Sequence, residues 1–333
     1  MDVGLALPQF DYSIPDEEPL RWSTVAAWAQ RAEALGFASV WLADHLFWDL
    51  ARYGGPDGTF DAFDPLAGLA ALARLTTTVR LGTLVLSVPL RPPAVLAKAL
   101  STLDVLSNGR LIVGLGAGNY QPELDAIGVG LEQGPIRLAR LEEAIDILRG
   151  MFGGGPFTYD GRHYGTVAAR CLPRPVQRPG PPIWVGGKGD RLLELCARCA
   201  DGWNTAWMST LDEYRERRTA LDRACDRNGR DPASVTRSVG LYALVGEDRA
   251  DLARRFERLR QRTPPGIVAP GVELDAWRQG RLVGTVEEVA EQLGGWRDLG
   301  VGALILSVAA VPFSIVDDDA VDLVAAACSL IAR

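Results

Sequence analysis

An aspartate and a histidine stand side by side directly after a short apolar run. Asp44 and His45 follow the residues VWLA, and His45 is one of two histidines in the chain. Because imidazole changes charge near neutral pH, His45 can donate a proton or hydrogen-bond to a bound ring, although its position equally allows a structural histidine. Trp48 and Trp207 each lie just past a predicted strand end and are candidates for the walls of a pocket for a flat ring.

Alternate glycines occupy a second strand end. Gly114, Gly116 and Gly118 are followed by Asn119 in the segment GLGAGN. The spacing is G-x-G-x-G rather than the G-x-G-x-x-G of a dinucleotide fold, and no acidic residue closes a matching βαβ unit, so a Rossmann site is excluded. Glycine at these positions would either let the backbone approach a cofactor closely or fit a tight rim.

A third glycine-rich turn comes immediately before a predicted helix. Gly186, Gly187 and Gly189 surround Lys188, one of two lysines in the chain. Free amides at the start of a helix favour a phosphate group, which makes this turn a candidate phosphate site. A plain turn is the alternative, and Asp190 at the helix start opposes anion binding mildly.

Composition excludes several classes of function. The net charge is −7 and the pI is near 5.1, which argues against a nucleic-acid partner. No leader-like start and no apolar run near 18 residues is found, so a cytoplasmic protein without a membrane partner is expected. Five cysteines at irregular spacing favour free thiols, and the single C-x2-C pair, Cys196 and Cys199, lies in a helical pattern that does not favour a metal site.

Short apolar runs alternate with amphipathic stretches along the chain, a pattern typical of repeated βα units. Strands are predicted at 3–7, 39–43, 79–86, 110–115, 182–186, 202–206, 238–245 and 302–307. Helices are predicted at 23–35, 65–75, 92–106, 135–151, 190–200, 211–228, 249–260, 286–299 and 319–332. Eight strands predict one closed (β/α)8 TIM barrel domain over 1–333, with rim insertions near 49–64, 153–181 and 263–281.

Several segments together resemble the luciferase-like superfamily, and in particular its branch that uses the deazaflavin coenzyme F420. The segments are ALGF (34–37), WLADH (41–45), VRLGT (79–83), TLDVLSNGR (102–110), GLGAG (114–118), RLEEA (140–144), YDGRHY (159–164), PPIWVGG (181–187) and ADGWN (200–204). Each is short, but their order and spacing are specific and cover nearly the whole chain.

The resemblance implies a cofactor site at the strand ends. Asp44 and His45 would face the cofactor ring, with Trp48 beside them as a catalytic residue. The ring would be backed by a bulged third strand that contains a cis peptide between Thr83 and Leu84. The other implied cofactor-binding residues are Gly82, Gly116, Ala117, Gly118 and Asn119, and, at the phosphate end, Val185, Gly186, Gly187, Lys188 and Gly189.

The implied activity is hydride transfer between reduced F420 and a C=C or C=N bond, or between an alcohol and a carbonyl, in a small-molecule or natural-product substrate. Glucose 6-phosphate is not the expected substrate. Asn119 stands where the sugar-phosphate dehydrogenases carry a glutamate, Trp48 lies three residues after His45 rather than four, and the chain has only two lysines. The alternatives are an FMN-dependent monooxygenase supplied by a separate reductase and a non-catalytic cofactor-binding barrel. A homodimer, common in the family, is also implied.

Overall fold

Eight parallel strands close into a barrel in the computed structural model, which describes residues 1–207 and 210–331. Each strand pairs with the next along the chain, and the last pairs with the first. The barrel strands are β1 (Asp2–Ala6), β2 (Ser39–Leu42), β3 (Arg80–Thr83), β4 (Leu111–Gly116), β5 (Ile183–Gly186), β6 (Gly202–Thr205), β7 (Thr236–Gly246) and β8 (Ala303–Ser307). The predicted (β/α)8 fold and its eight strands are confirmed.

The predicted helices surround this barrel, and their ends differ from the predicted bounds by at most two residues. They are Trp22–Ala34, Pro65–Leu75, Pro93–Leu106, Gly134–Phe152, Asp190–Cys199, Leu211–Arg227, Arg249–Arg262, Val286–Asp298 and Ala320–Ile331. Several of these helices start with a side-chain cap: the side chain of Asp64 accepts a hydrogen bond from Ala67 N, and Thr210 forms a capping box with Glu213. Ala332, the predicted end of the last helix, lies outside the described residues. Within those residues, no helix has the length and apolar character needed to cross a membrane.

Each of the three predicted insertions contains secondary structure of its own. In 49–64 and 153–181, strands pair as two antiparallel hairpins, Phe47–Asp49 with Thr59–Asp61 and Phe157–Asp160 with Gly165–Ala169. The third contains the short helix Leu274–Trp277 and leads into Leu282–Thr285, which pairs with β7. The strand Leu86–Ser87 begins at the last residue of the predicted strand 79–86. The short elements that were not predicted are the helix Gln121–Ala126 and the 3-10 turns Ala51–Tyr53, Val88–Leu90 and Pro232–Ser234.

Two large aromatic side chains fill the barrel interior. Trp41 from β2 and Trp184 from β5 are almost fully buried, with ring centroids 5.4 Å apart. Neighbouring strands make room with glycine: a Cβ on Gly82 would lie 2.2 Å from the Trp41 ring, and one on Gly202 would lie 2.4 Å from Trp184. The glycine at position 82 therefore serves barrel packing, because any side chain there would collide with the Trp41 ring.

The predicted cis peptide lies one residue later than expected. The cis bond joins Leu84 and Val85, and a second non-proline cis bond, between Ala206 and Trp207, follows β6. Thr83 is still held within the barrel wall, since its hydroxyl donates to Gly114 O and accepts from Gly114 N, each at 2.9 Å. The backbone N–H of Leu84 also donates to Leu42 O at 2.7 Å. β3 ends at Thr83, and the irregular backbone begins at Leu84.

Candidate active site

A cavity of about 930 Å³ opens at the carboxyl ends of the barrel strands. This is the end at which TIM-barrel enzymes carry their active sites, and the volume is sufficient for a cofactor ring with a small substrate. Many of the predicted site residues line it: Asp44, His45, Trp48, Leu84, Gly116, Ala117, Gly118, Asn119, Gly186, Gly187 and Gly189. Trp207, predicted as a pocket wall, also lines it.

Four predicted cofactor residues do not line the cavity. Gly82 and Thr83 lie inside the barrel wall, for the packing and hydrogen-bonding reasons given above. Val185 is fully buried in the layer between strands and helices. Lys188 lies between two lining glycines but is exposed and is not part of the lining. The predicted residues at the strand ends therefore line the cavity, whereas the predicted side chains that alternate away from it do not.

A buried carboxylate that the sequence did not identify lies next to His45. Glu123 Oε2 is 3.3 Å from His45 Nδ1, and Glu123 Oε1 accepts a hydrogen bond from Leu46 N at 2.5 Å. Glu123 is 1% exposed, so its charge is balanced by these contacts rather than by water. Because an ionised carboxylate only accepts hydrogen bonds, it favours the tautomer of neutral His45 with the proton on Nδ1. Nε2 is then the ring atom available for proton exchange.

Glu123 could not be found from local sequence. It lies four residues beyond Asn119 on the short helix Gln121–Ala126, an element too brief for a periodic signal. Seventy-eight positions separate it from His45 in the chain. Although position 119 carries an amide rather than a carboxylate, Glu123 places a carboxylate beside His45.

Asp44 is held by a guanidinium and by a backbone N–H. Arg91 Nη1 lies 2.8 and 2.7 Å from its two carboxylate oxygens, and Ser87 N donates to Oδ2 at 2.8 Å. Burial raises the pKa of Asp44, while the nearby Arg91 guanidinium opposes the shift. The second guanidinium nitrogen of Arg91 bonds Asp64 at 2.6 Å. Asp44 therefore fastens the chain after β3 to the end of β2, which is a positioning role.

Val85 is seated among glycines at the end of the barrel. A Cβ on Gly116 would lie 2.7 Å from the Val85 side chain, and Cβ atoms on Gly114 and Gly186 would each lie 3.0 Å from it. The alternate glycines were interpreted either as a close approach of the backbone to a cofactor or as a fit to a tight rim. Their contacts with Val85 are those of tight packing. Val85 itself lines the cavity together with Leu84, so the two form an apolar platform at its base.

The glycine-rich turn after β5 forms one end of the cavity. Gly189 precedes the first turn of the helix Asp190–Cys199 without a side-chain cap, so amides of that turn are available to a ligand. The negative charge of Asp190 at this end of the cavity is paired, because its carboxylate lies 2.8 Å from the guanidinium of Arg217. Arg137 and Arg191 also line the cavity, and neither was predicted.

A continuous row of rings forms the cavity's other wall. Tyr242 stacks on Trp207 at 5.3 Å, Trp207 meets Phe313 at 5.8 Å, and Phe313 meets Phe10 at 6.1 Å. The row continues past His45 to two further rings. His45 lies 6.4 Å from Phe10 and 4.2 Å from Trp48, and Trp48 lies 4.6 Å from Tyr120. Four rings of this row were not predicted as site residues, because each comes from a different segment of the chain and no common motif marks them. They are Phe10, Tyr120, Tyr242 and Phe313.

Comparison with known proteins agrees with this architecture. The sequence profile described as luciferase-like monooxygenase matches residues 1–303. The chain is 30% identical over 306 residues to the F420-dependent hydroxymycolic acid dehydrogenase of Mycobacterium tuberculosis, covering 89% of this chain and 79% of that one. It is 32% identical over 228 residues to the F420-dependent glucose-6-phosphate dehydrogenase of Kineococcus radiotolerans, covering 68% of this chain and 65% of that one.

Solved structures of similar fold cover the whole barrel. A monooxygenase from Streptomyces bottropensis superposes with a TM-score of 0.77 at 23% identity, covering 100% of this chain and 99% of that one. An F420-dependent secondary alcohol dehydrogenase, solved with an F420–acetone adduct, gives 0.77 at 20% identity over 99% of both chains. At such identities the likeness shows the shared fold. With the profile match over residues 1–303, it follows that this chain belongs to the luciferase-like monooxygenase family.

Proposed function

We propose that the protein is a coenzyme F420-dependent oxidoreductase that acts on a small-molecule substrate. The observation that carries the proposal is the His45–Glu123 pair, which presents an oriented imidazole to a cavity large enough for a cofactor and a substrate. The relationship to a mycobacterial F420-dependent dehydrogenase over 89% of this chain supports the choice of cofactor.

The cavity fits the shape and charge of such a cofactor. Leu84 and Val85 would support its ring, and Gly116 to Asn119 would lie along its side chain. The amides of Gly189 and of the first turn of the helix Asp190–Cys199 would bind its phosphate. The apolar platform would take the ring of the cofactor, and the passage lined by glycines would take its linear side chain. The helix start would take its anionic group.

The chain's own chemistry centres on one proton. F420, when bound, supplies or accepts a hydride and does not activate oxygen as reduced flavin does. His45 Nε2 would hold the proton that accompanies this hydride, giving it to a reduced C=C or C=N bond or taking it from an alcohol. Glu123 would keep the imidazole oriented. The aromatic row would exclude water from the reacting atoms.

The experiment is a side-by-side titration of the purified protein with F420 and FMN, oxidised and reduced, followed by ring fluorescence. Selective deazaflavin binding is expected. Binding of reduced FMN alone would overturn the proposal in favour of an oxygen-dependent monooxygenase. His45→Ala should retain cofactor affinity and lose turnover, whereas unchanged turnover would remove His45 from the mechanism.

A further inference from the structure

The rim segment Trp48–Tyr53 contributes three hydrogen-bond donors to the cavity. Trp48, Arg52 and Tyr53 all line it, and the guanidinium of Arg52 lies 4.7 Å from the centre of the Trp48 ring. The indole N–H of Trp48 has no hydrogen-bond partner among the described residues, although the side chain is only 6% exposed. An unpaired buried N–H is costly, so this donor is suited to an incoming acceptor.

No carboxylate forms an ion pair with Arg52 in the described part of the chain. Asp49, three residues before Arg52, accepts hydrogen bonds from Tyr120 Oη and from Ala51 N. The carboxylates that line the cavity are bound elsewhere: Asp44 to Arg91, Glu123 to Leu46 N and Asp190 to Arg217. A positive charge at the cavity edge is therefore available to a ligand.

The phenols around Arg52 do not supply a counter-charge. Tyr12 and Tyr242 line the same side of the cavity as Tyr53, and burial raises the pKa of all three. They remain neutral at physiological pH and act as donors or as apolar walls. This compartment, lined by Tyr12, Trp48, Arg52, Tyr53 and Tyr242, thus combines flat aromatic surface with the positive charge of Arg52.

We propose that the compartment binds a planar, conjugated substrate through a carboxylate, which Arg52 holds together with the N–H of Trp48 and the hydroxyl of Tyr53. The flat body of the substrate lies along the row of rings, which brings it past His45. The inference rests on the proposed function only in respect of which bond of the substrate reacts. Recognition of the carboxylate is a property of the chain itself.

The test uses full-length protein without cofactor and three probes, measured by isothermal titration calorimetry. Cinnamate is planar and charged, methyl cinnamate is planar and neutral, and 3-cyclohexylpropanoate is charged without a flat ring. Cinnamate should bind at least about ten-fold more tightly than either of the others, because a desolvated charged hydrogen bond and ring stacking both contribute. Arg52→Gln should remove the preference for cinnamate over its ester.

Arg74→Gln, on the exposed end of the helix Pro65–Leu75, removes the same charge outside the cavity and should leave the preference intact. Equal binding of acid and ester, a preference that survives Arg52→Gln, or no cinnamate binding at millimolar concentration would each overturn the inference. Because no F420 is present, these outcomes are independent of the cofactor titration.

Discussion

Glu123 Oε2 lies 3.3 Å from His45 Nδ1, and the same carboxylate holds the backbone of Leu46. One acid thus fixes both the ring and the chain that carries it. A carboxylate behind a histidine dictates which ring nitrogen bears the proton, and so which one faces the substrate.

Glu123→Gln should reverse the tautomer of His45. The amide oxygen can still accept from Leu46 N, but the amide nitrogen would then face Nδ1 and donate to it, which moves the proton to Nε2. Turnover should fall by about 10²-fold or more, with cofactor affinity unchanged. Proton–nitrogen NMR of the imidazoles provides a direct readout, because His163 is the only other histidine in the sequence.

The control for that substitution is Asp125→Asn. Asp125 is exposed on the same short helix, so its replacement should leave the tautomer of His45 and the pH profile of turnover unaltered. Wild-type turnover and an unchanged imidazole spectrum in Glu123→Gln would show that Glu123 does not position His45.

Removing Arg91 should destabilise the fold strongly. Arg91→Ala leaves Asp44, which is 2% exposed, as a buried carboxylate without its ion-pair partner, at a cost of about 3–5 kcal/mol. Adding Asp44→Asn should recover part of that loss, because a neutral amide needs no counter-charge. Guanidinium unfolding compares the three proteins, and equal stability of the single and double variants would contradict the pairing.

Two glycines of the third insertion should respond differently to alanine. A Cβ on Gly266 would lie 1.9 Å from the O atom of Gly54, which directly follows the rim segment Trp48–Tyr53, whereas a Cβ on Gly271 would meet nothing within 4 Å. Both have positive φ, 90° and 76°, so the backbone penalty is matched. Gly266→Ala should therefore cost about 1–3 kcal/mol more in unfolding free energy and weaken cinnamate binding. Equal effects of the two substitutions would disprove the contact between the insertions.

Stability should fall in acid partly through Glu33. Burial opposes its charge, but hydrogen bonds from Thr78, Val79 and Thr77 outweigh that effect and lower its pKa to about 2. Because the folded pKa lies below the unfolded value, the ionised carboxylate stabilises the fold above about pH 4.5, and this contribution is lost as the pH falls towards 2.

Glu33→Gln should therefore be less stable than the wild type by about 1 kcal/mol at pH 7, with the difference vanishing near pH 2. Urea unfolding at several pH values measures it. Glu257→Gln, at a more exposed surface ion pair, is the control. A difference in stability that does not change with pH would mean that the loss comes from the altered shape of the side chain rather than from its charge.

The sequence alone determined the fold and the position of the site at the ends of the barrel strands. The alternation of buried runs with amphipathic stretches specified eight βα units, because each period reflects which face of an element must leave water. In a parallel barrel every strand ends at the same edge, so Asp44, His45 and the glycine runs near 116 and 187 had to converge.

Tertiary structure decided which side chains face the cavity and what they touch. Gly82, Thr83 and Val185 lie close in sequence to lining residues, but strand alternation and the size of Trp41 turn them into the wall. Glu123 and Arg52 acquired their roles through contacts made across loops, and no local pattern encodes such contacts. The fold follows from periodic burial, which is local, whereas the site depends on distances between residues that only the closed barrel brings together.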